Sequence, residues 1–159
     1  DLTSHDLSIL QFLFNKLPKL VSHNHYSILK KNISDISNLN LKLGNVFIDI
    51  NNSWLNPIKI RRVTIIGEKK MLLFNELNLK EPIKIYNKYA KYPKIQNIKK
   101  QFFMKKAIIY EGKNFSPKIK SKEPLKNEIH HFFKSVKKIK QPLTDYKFSF
   151  NLLRFLMKI

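Results

Sequence analysis

Hydrophobic residues recur every three or four positions at the start of the chain, which predicts a helix. In residues 4–15, Leu7, Leu10 and Phe14 lie at helical spacing, and Ser4 can cap the N-terminus. The Leu17-Pro18 pair that follows ends the helix, because proline cannot continue the hydrogen-bonding pattern.

Two further helices are predicted at the other end of the chain. Residues 123–137 carry one apolar stripe, and a last helix, capped by Thr144 or Asp145, follows the break at Pro142. The stripe consists of Leu125, Ile129, Phe132, Phe133 and Val136, and the buried side of the last helix of Phe148, Leu152, Phe155 and Leu156.

The middle of the chain changes to short runs rich in Val, Ile, Tyr and Phe, which predict β-strands. Short turns such as Leu43-Gly44-Asn45 separate the runs, so neighbouring strands are expected to pair in antiparallel fashion. Residues 88–105 have no clear period and are interpreted as a long loop or an excursion from the sheet. The predicted strands are residues 20–29, 36–43, 46–54, 58–66, 71–75, 83–87 and 106–111.

A block of strands with helices before and after it predicts the α+β class. The expected architecture is an open, mainly antiparallel β-sheet with helices covering one face. The length of 159 residues fits one domain with one core, spanning residues 1–159. The other face of the sheet is expected to meet solvent, a second domain or another subunit.

The formal charge of +20 by itself suggests an anionic partner such as nucleic acid. Nearly all of this charge is lysine spread along the chain, whereas dedicated nucleic-acid binders favour arginine for bidentate contacts. Asparagine and isoleucine are also abundant, as an AT-rich coding sequence would produce. A basic module that binds RNA or an acidic surface through lysines and Tyr86, Tyr89 and Tyr92 remains an alternative.

The chain contains no cysteine, which excludes disulfides, thiolate metal ligands and cysteine nucleophiles. A reducing cytoplasm is therefore the expected location. No apolar run approaches the roughly 20 residues that span a bilayer, so we expect a soluble protein without membrane contact. The first residue is Asp rather than Met, so the chain is expected to be a processed, excised or truncated product.

The residues with candidate chemistry are few. Asp1 and His5 are four residues apart, which would place a carboxylate and an imidazole on one side of a helical turn, although such pairs are usually surface decoration. His23 and His25 alternate on a predicted strand, but no third ligand is near in sequence, so a polar strand face is favoured and no metal is expected. Trp54 is either a packing residue or a contact for a substrate or partner.

No nucleotide-binding loop is present in the sequence. The glycines are Gly44, Gly67 and Gly112, and none belongs to a G-x-G-x-x-G or G-x-x-x-x-G-K arrangement. We therefore expect no cofactor-binding residues within this chain.

Three stretches together resemble the C-terminal domain of the glucose–fructose oxidoreductase / inositol dehydrogenase (Gfo/Idh/MocA) family. DLTSHDLSIL at residues 1–10 resembles the D-x-x-x-H motif at the start of a helix, and EPLKNEIHHFFKSVKKIKQPLTDY at 123–146 resembles the closing helix and turn. NNSWLNPIKIRRVTIIGEKKMLLFNEL at 51–77 is similar to a sheet segment of the members that act on nucleotide sugars. The stretches occur in the family's order.

The resemblance implies the C-terminal half of an NAD(P)-dependent oxidoreductase whose Rossmann domain is not in this chain and would act in cis or in trans. His5 would be the acid/base residue for a sugar or nucleotide-sugar substrate, and Asp1 would orient it. Trp54, Lys59 and Arg61 would contact the substrate, and the uncovered sheet face would form the substrate wall and a contact between identical subunits. NAD or NADP would be bound mainly by the absent domain. A non-catalytic remnant that keeps only the fold is the further alternative.

Overall fold

The computed structural model describes residues 2–91, 107–119 and 123–159. The chain divides into two compact units. The first, called here the helix–sheet unit, comprises Asp1–Pro57 and Pro124–Ile159, and the second, the strand unit, comprises Ile58–Glu123. The mixed α+β class with antiparallel strands is confirmed, and the described strands belong to three separate sheets. The assignment of the chain to one domain stays a prediction.

The helix–sheet unit consists of three helices and three strands among its described residues. In chain order they are α1 (Leu2–Phe14), β1 (Lys19–Tyr26), β2 (Ile36–Leu43), β3 (Val46–Ser53), α2 (Pro124–Val136) and α3 (Tyr146–Leu156). The strands form an antiparallel meander with β2 in the centre. Gly44, in the turn between β2 and β3, has φ 59°, a conformation that suits glycine because it lacks Cβ.

The core of this unit lies between the central strand and the two helices α1 and α3. Leu39 and Leu41 of β2 are fully buried, together with Leu7 of α1, and Ile50 and Phe155 complete the cluster. The two helices are also joined by a hydrogen bond in which Gln11 Nε2 donates to the Phe148 carbonyl oxygen at 3.2 Å. Helices therefore cover one face of this sheet, as the sequence predicts.

The opposite face of the same sheet carries a row of polar side chains. Asn40 Nδ2 donates to Ser22 Oγ at 3.1 Å, and Asn51 Nδ2 donates to Asp49 Oδ2 at 3.0 Å. Because side chains alternate between the faces of a strand, this face carries the residues between those of the core.

Both C-terminal helices form where the sequence predicts them. Asp145, one of the two predicted caps, accepts a hydrogen bond from Phe148 N at 2.8 Å on its Oδ1 and begins α3. The apolar stripe of α2 is not buried: Phe132 is 62% and Phe133 57% exposed.

The strand unit contains five described strands. They are β4 (Arg62–Ile66), β5 (Met71–Asn75), β6 (Ile83–Tyr86), β7 (Lys88–Lys91) and β8 (Ile108–Glu111). The first three form an antiparallel sheet with β5 in the centre, and β7 pairs with β8. Of the two alternatives for residues 88–105, the loop is wrong for 88–91, whereas an excursion from the sheet agrees with the structure there. These residues pair with β8 in a separate two-stranded sheet, and Tyr89 stacks on Tyr110 with ring centroids 4.8 Å apart. Residues 92–105 of that segment are outside the described residues.

No helix among the described residues has the length and apolar character required to cross a bilayer.

Candidate substrate-binding site

A recess with a volume of about 170 Å³ lies at one end of the sheet in the helix–sheet unit. His25, Ser37 and Asn52 occupy opposite positions on β1, β2 and β3, so their side chains share the face that carries the core. The rest of the lining comes from the start of α1, the loop before β2 and its first strand residue, the position after β3, and the C-terminus: Leu2, Thr3, Ser34, Asp35, Ile36, Trp54, Leu156 and Ile159.

Asn52 connects the sheet to the first turn of α1. Its Nδ2 donates to Asp6 Oδ2 at 3.0 Å and to Thr3 Oγ1 at 3.2 Å, which uses both N–H donors of the amide. Thr3 Oγ1 in turn donates to Ser37 Oγ at 3.4 Å. Amide, hydroxyl and carboxylate groups of three elements are thus held together at the recess.

Asp35 organises the loop that forms another wall of the recess. Its Oδ2 accepts hydrogen bonds from Ile28 N at 2.7 Å and Leu29 N at 2.8 Å, and its side chain is buried. Its carbonyl oxygen also accepts from Trp54 N at 2.9 Å. Through these three hydrogen bonds, Asp35 fixes both the loop and the backbone of Trp54.

Trp54 is 63% exposed, and its side chain lines the recess rather than the core. The interpretation of Trp54 as a packing residue is therefore wrong. An exposed indole beside hydroxyl and amide groups offers an apolar face and a single N–H donor to a ligand.

His5 lies in the first turn of α1 and is exposed. The residue that follows it is Asp6, the carboxylate held by Asn52. The backbone carbonyl oxygen of His5 accepts from Ser8 Oγ at 2.7 Å, which leaves the imidazole out of this contact. Asp1 is outside the described residues, so its pairing with His5 stays a prediction.

The two strand histidines lie together at the edge of the same sheet. The ring centroids of His23 and His25 are 5.2 Å apart, and Ser34 Oγ is 3.4 Å from His25 Nδ1. Within residues 2–91, 107–119 and 123–159, no three His, Cys, Asp or Glu side chains are grouped as metal ligands.

Lys59 and Arg61 belong to the strand unit, where they line a different recess with Arg62 and Asn75. Arg61 Nη1 is 3.3 Å from Glu76 Oε2, and both side chains are about half exposed. The tyrosines of the basic-module alternative are only partly described: Tyr89 uses one ring face against Tyr110, and Tyr92 is outside the described residues.

Sequence reasoning missed the network of Thr3, Asp6, Ser37 and Asn52. Asp6 has no spacing in the sequence that links it to a partner, unlike Asp1 and His5, which are four residues apart. Asn52 lies in an asparagine-rich stretch, so its residue type alone does not single it out. The signal that could have identified Asn52 is register: with the predicted turn at Gly44, it lies opposite Ser37 on the apolar face of the meander.

The fold defined here is an α+β arrangement with a helix-covered antiparallel sheet. A solved structure that shares it is the UDP-N-acetylglucosamine 3-dehydrogenase GnnA from Acidithiobacillus ferrooxidans, with a TM-score of 0.67 and 14% identity. The likeness covers 98% of this chain and 43% of that chain, so this chain spans less than half the length of its structural neighbour. No family model and no curated protein sequence matches the chain.

Proposed function

We propose that this chain is the C-terminal substrate domain of an NAD(P)-dependent oxidoreductase that acts on a sugar or nucleotide sugar. The observation that carries the proposal is the likeness of fold to a nucleotide-sugar dehydrogenase over nearly the whole chain. The ordered motifs at residues 1–10, 51–77 and 123–146, which resemble the Gfo/Idh/MocA family, support the same class from the sequence alone.

In this proposal the recess of the helix–sheet unit binds hydroxyl groups of the sugar. Ser37 and His25 supply groups that both donate and accept hydrogen bonds, which matches the dual character of a sugar hydroxyl. The exposed indole of Trp54 covers an apolar face of the ring.

His5 is the proposed acid/base residue, which takes a proton from the reacting hydroxyl or returns one to the carbonyl. Its exposure in the first turn of α1 leaves the imidazole accessible to a substrate. Asp1 is proposed to orient it. Asp6, held by Asn52, keeps the turn that carries His5 in place.

The cofactor is assigned to another domain. The three glycines of the sequence form no phosphate-cradling loop, so the residues present do not fit NAD or NADP, and we propose a Rossmann domain in cis or in trans as its main binding site. When bound, the nicotinamide supplies hydride transfer, while this chain binds the substrate and moves the proton.

The proposal is tested by joining the Rossmann domain of the GnnA enzyme to this chain before Asp1 and measuring NAD(P) reduction with a panel of UDP-sugars. We expect turnover with the wild-type sequence and a loss of about 10²–10⁴-fold in kcat for His5→Ala, the usual contribution of a general acid or base. His130→Ala is the matched control, since it removes an exposed imidazole from α2, and it should leave kcat within about twofold.

The chimera is first checked for cofactor binding and a folded far-UV spectrum. If a folded, cofactor-binding chimera is inactive on every sugar, or if His5→Ala is as active as the wild type, the catalytic role is contradicted. The first of these results would favour the non-catalytic remnant.

A further inference from the structure

His25 lines the recess of the helix–sheet unit, and one of its two ring nitrogens is already engaged. Nδ1 lies 3.4 Å from Ser34 Oγ, and both residues belong to the recess lining, whereas His5 does not. In the described part of the chain, Nε2 of His25 has no hydrogen-bond partner, and the side chain is exposed. The two nitrogens of this ring therefore differ in what they offer to a ligand.

The hydroxyl group of Ser34 decides which nitrogen of His25 carries the hydrogen. A serine hydroxyl has a single hydrogen, and Ser34 Oγ donates it to the Ile36 carbonyl oxygen at 2.9 Å. Towards His25, Ser34 Oγ can then only accept, so Nδ1 is the donor. A neutral imidazole has one N–H, which leaves Nε2 without a hydrogen and with a free lone pair. Ser34 thus holds neutral His25 in the Nδ1–H tautomer.

Strand pairing and an anchored loop keep this arrangement in position. His25 lies opposite Ser37 in the β1–β2 pair, and Ile36 is the neighbour of Ser37 on β2. Ser34 comes from the adjoining loop, which the buried carboxylate of Asp35 holds through two backbone N–H groups. The acceptor at Nε2 is therefore supported by paired strands, and a contact that determines specificity requires such support.

An imidazole that presents only an acceptor selects one kind of ligand group. A sugar hydroxyl can donate its hydrogen to Nε2, whereas a ketone, an ether or a fluorine atom in the same place can only accept. Two facing acceptors lose their contacts with water and gain no hydrogen bond in return, so such a ligand binds more weakly. The tautomer of His25 therefore bears on which ligands the recess binds.

We infer that His25 makes the recess require a hydrogen-bond donor, namely a hydroxyl group, from its ligand, and that Ser34 is the positioning residue that sets this requirement. The ligand is a neutral molecule with several hydroxyl groups, of the sugar class. The sugar class rests on the proposed function, whereas the tautomer of His25 does not. His5 remains the proposed acid/base residue, and His25 selects the ligand group that the recess binds.

The tautomer is measured on the 159-residue chain itself by nitrogen-15 NMR of the imidazole rings at about pH 8.5, so that neutral side chains are observed. The variant His25→Gln assigns the signals. We expect the hydrogen on Nδ1 of His25 in the wild type and in Ser34→Thr, which keeps the hydroxyl group. Ser34→Ala removes the acceptor for Nδ1–H and should shift His25 towards the Nε2–H form.

The donor requirement is measured with N-acetylglucosamine and with analogues in which fluorine replaces the hydroxyl group at C3, C4 or C6. The sugars are titrated to about 50 mM, which detects complexes with Kd in the millimolar range. One analogue should bind about fivefold more weakly than the parent sugar, because it brings an acceptor to Nε2.

Two variants assign that loss to His25. In His25→Gln the side-chain amide offers both a donor and an acceptor, so the difference between the parent sugar and that analogue should fall below about twofold. His130→Gln is the matched control, because it replaces an exposed imidazole on α2, and it should keep the full difference.

The inference is overturned if wild-type His25 carries its hydrogen on Nε2, or if Ser34→Ala leaves the tautomer unchanged. It is also overturned if no sugar shifts the His25 signals, if all the analogues bind as tightly as the parent sugar, or if His25→Gln and His130→Gln behave alike. A folded, cofactor-binding chimera without turnover, together with the expected NMR results, would contradict the proposed function and leave the role of His25 standing. An active chimera in which His25 has the Nε2–H form would do the reverse.

Discussion

The two units of the molecule use antiparallel sheets in different ways. In the helix–sheet unit, α1 and α3 bury Leu39 and Leu41 of the central strand, so the sheet is one layer of a two-layer core. In the strand unit, none of the described residues is buried, and Ile66 of β4 is 78% exposed. Backbone pairing is present in both units, but hydrophobic burial, which dominates folding free energy, is concentrated in the first.

This difference is sharpest at apolar residues in strands. Leu39→Ala should lower the free energy of unfolding by about 2–5 kcal/mol, because it removes a fully buried side chain and leaves a cavity. Ile66→Ala on β4 should change it by less than about 0.5 kcal/mol, as expected for a surface position. Urea unfolding followed by circular dichroism measures both values.

Similar losses of stability in Leu39→Ala and Ile66→Ala would contradict the conclusion that burial is concentrated in the helix–sheet unit. A large effect of Ile66→Ala would mean that this side chain is covered in solution, for instance by a second copy of the chain. Repeating the Ile66→Ala measurement over a range of protein concentrations separates these cases, because association makes apparent stability depend on concentration.

Loop anchors provide a second, smaller contrast between the units. Asp35→Ala removes the acceptor of two backbone N–H groups and should cost about 2 kcal/mol, while Asp35→Asn keeps one acceptor oxygen and should cost less. In the strand unit, Asn78 Oδ1 accepts from Glu81 N at 3.0 Å, but this contact is exposed, so Asn78→Ala should have a smaller effect than Asp35→Ala. Chemical denaturation of the three variants gives the order, and equal losses for Asp35→Ala and Asn78→Ala would contradict it.

The elements with a strong periodic pattern were predictable from the sequence. The strand at residues 36–43 was predicted with the bounds that the structure shows, because apolar Leu39 and Leu41 alternate with polar residues and Gly44 marks the turn. The strand predicted at 58–66 begins only at Arg62, because residues 58–60 lie outside the β4–β5 register and Arg61 contributes only its carbonyl oxygen, which accepts from Glu76 N at 3.2 Å.

The candidate site was less accessible to sequence reasoning. Sequence spacing can pair residues within one helix, such as Asp1 and His5, but the contacts of Asn52 join positions that are 46 and 49 residues apart. Such contacts depend on strand register and on which helix covers the sheet. The amphipathic pattern of α2 implied that its apolar stripe is buried, but the stripe is exposed. Such a pattern shows that one face of a helix is suited to burial, and it does not show which surface covers that face.

The smallest expected difference in stability between the two units concerns their polar side-chain contacts. Asn52→Ala should cost about 1 kcal/mol, because its amide joins α1 to β3 through two hydrogen bonds in a partly buried setting. Glu76→Gln breaks an ion pair whose side chains are 44% and 49% exposed, so solvent screening should keep its cost below about 0.5 kcal/mol.

Thermal or urea unfolding of both variants, with Asn51→Ala as the control on the exposed face of the same strand, checks this order. If Asn52→Ala were no more costly than Asn51→Ala, the network at the first turn of α1 would not hold His5 in place, and the positioning role of Asp6 would be lost.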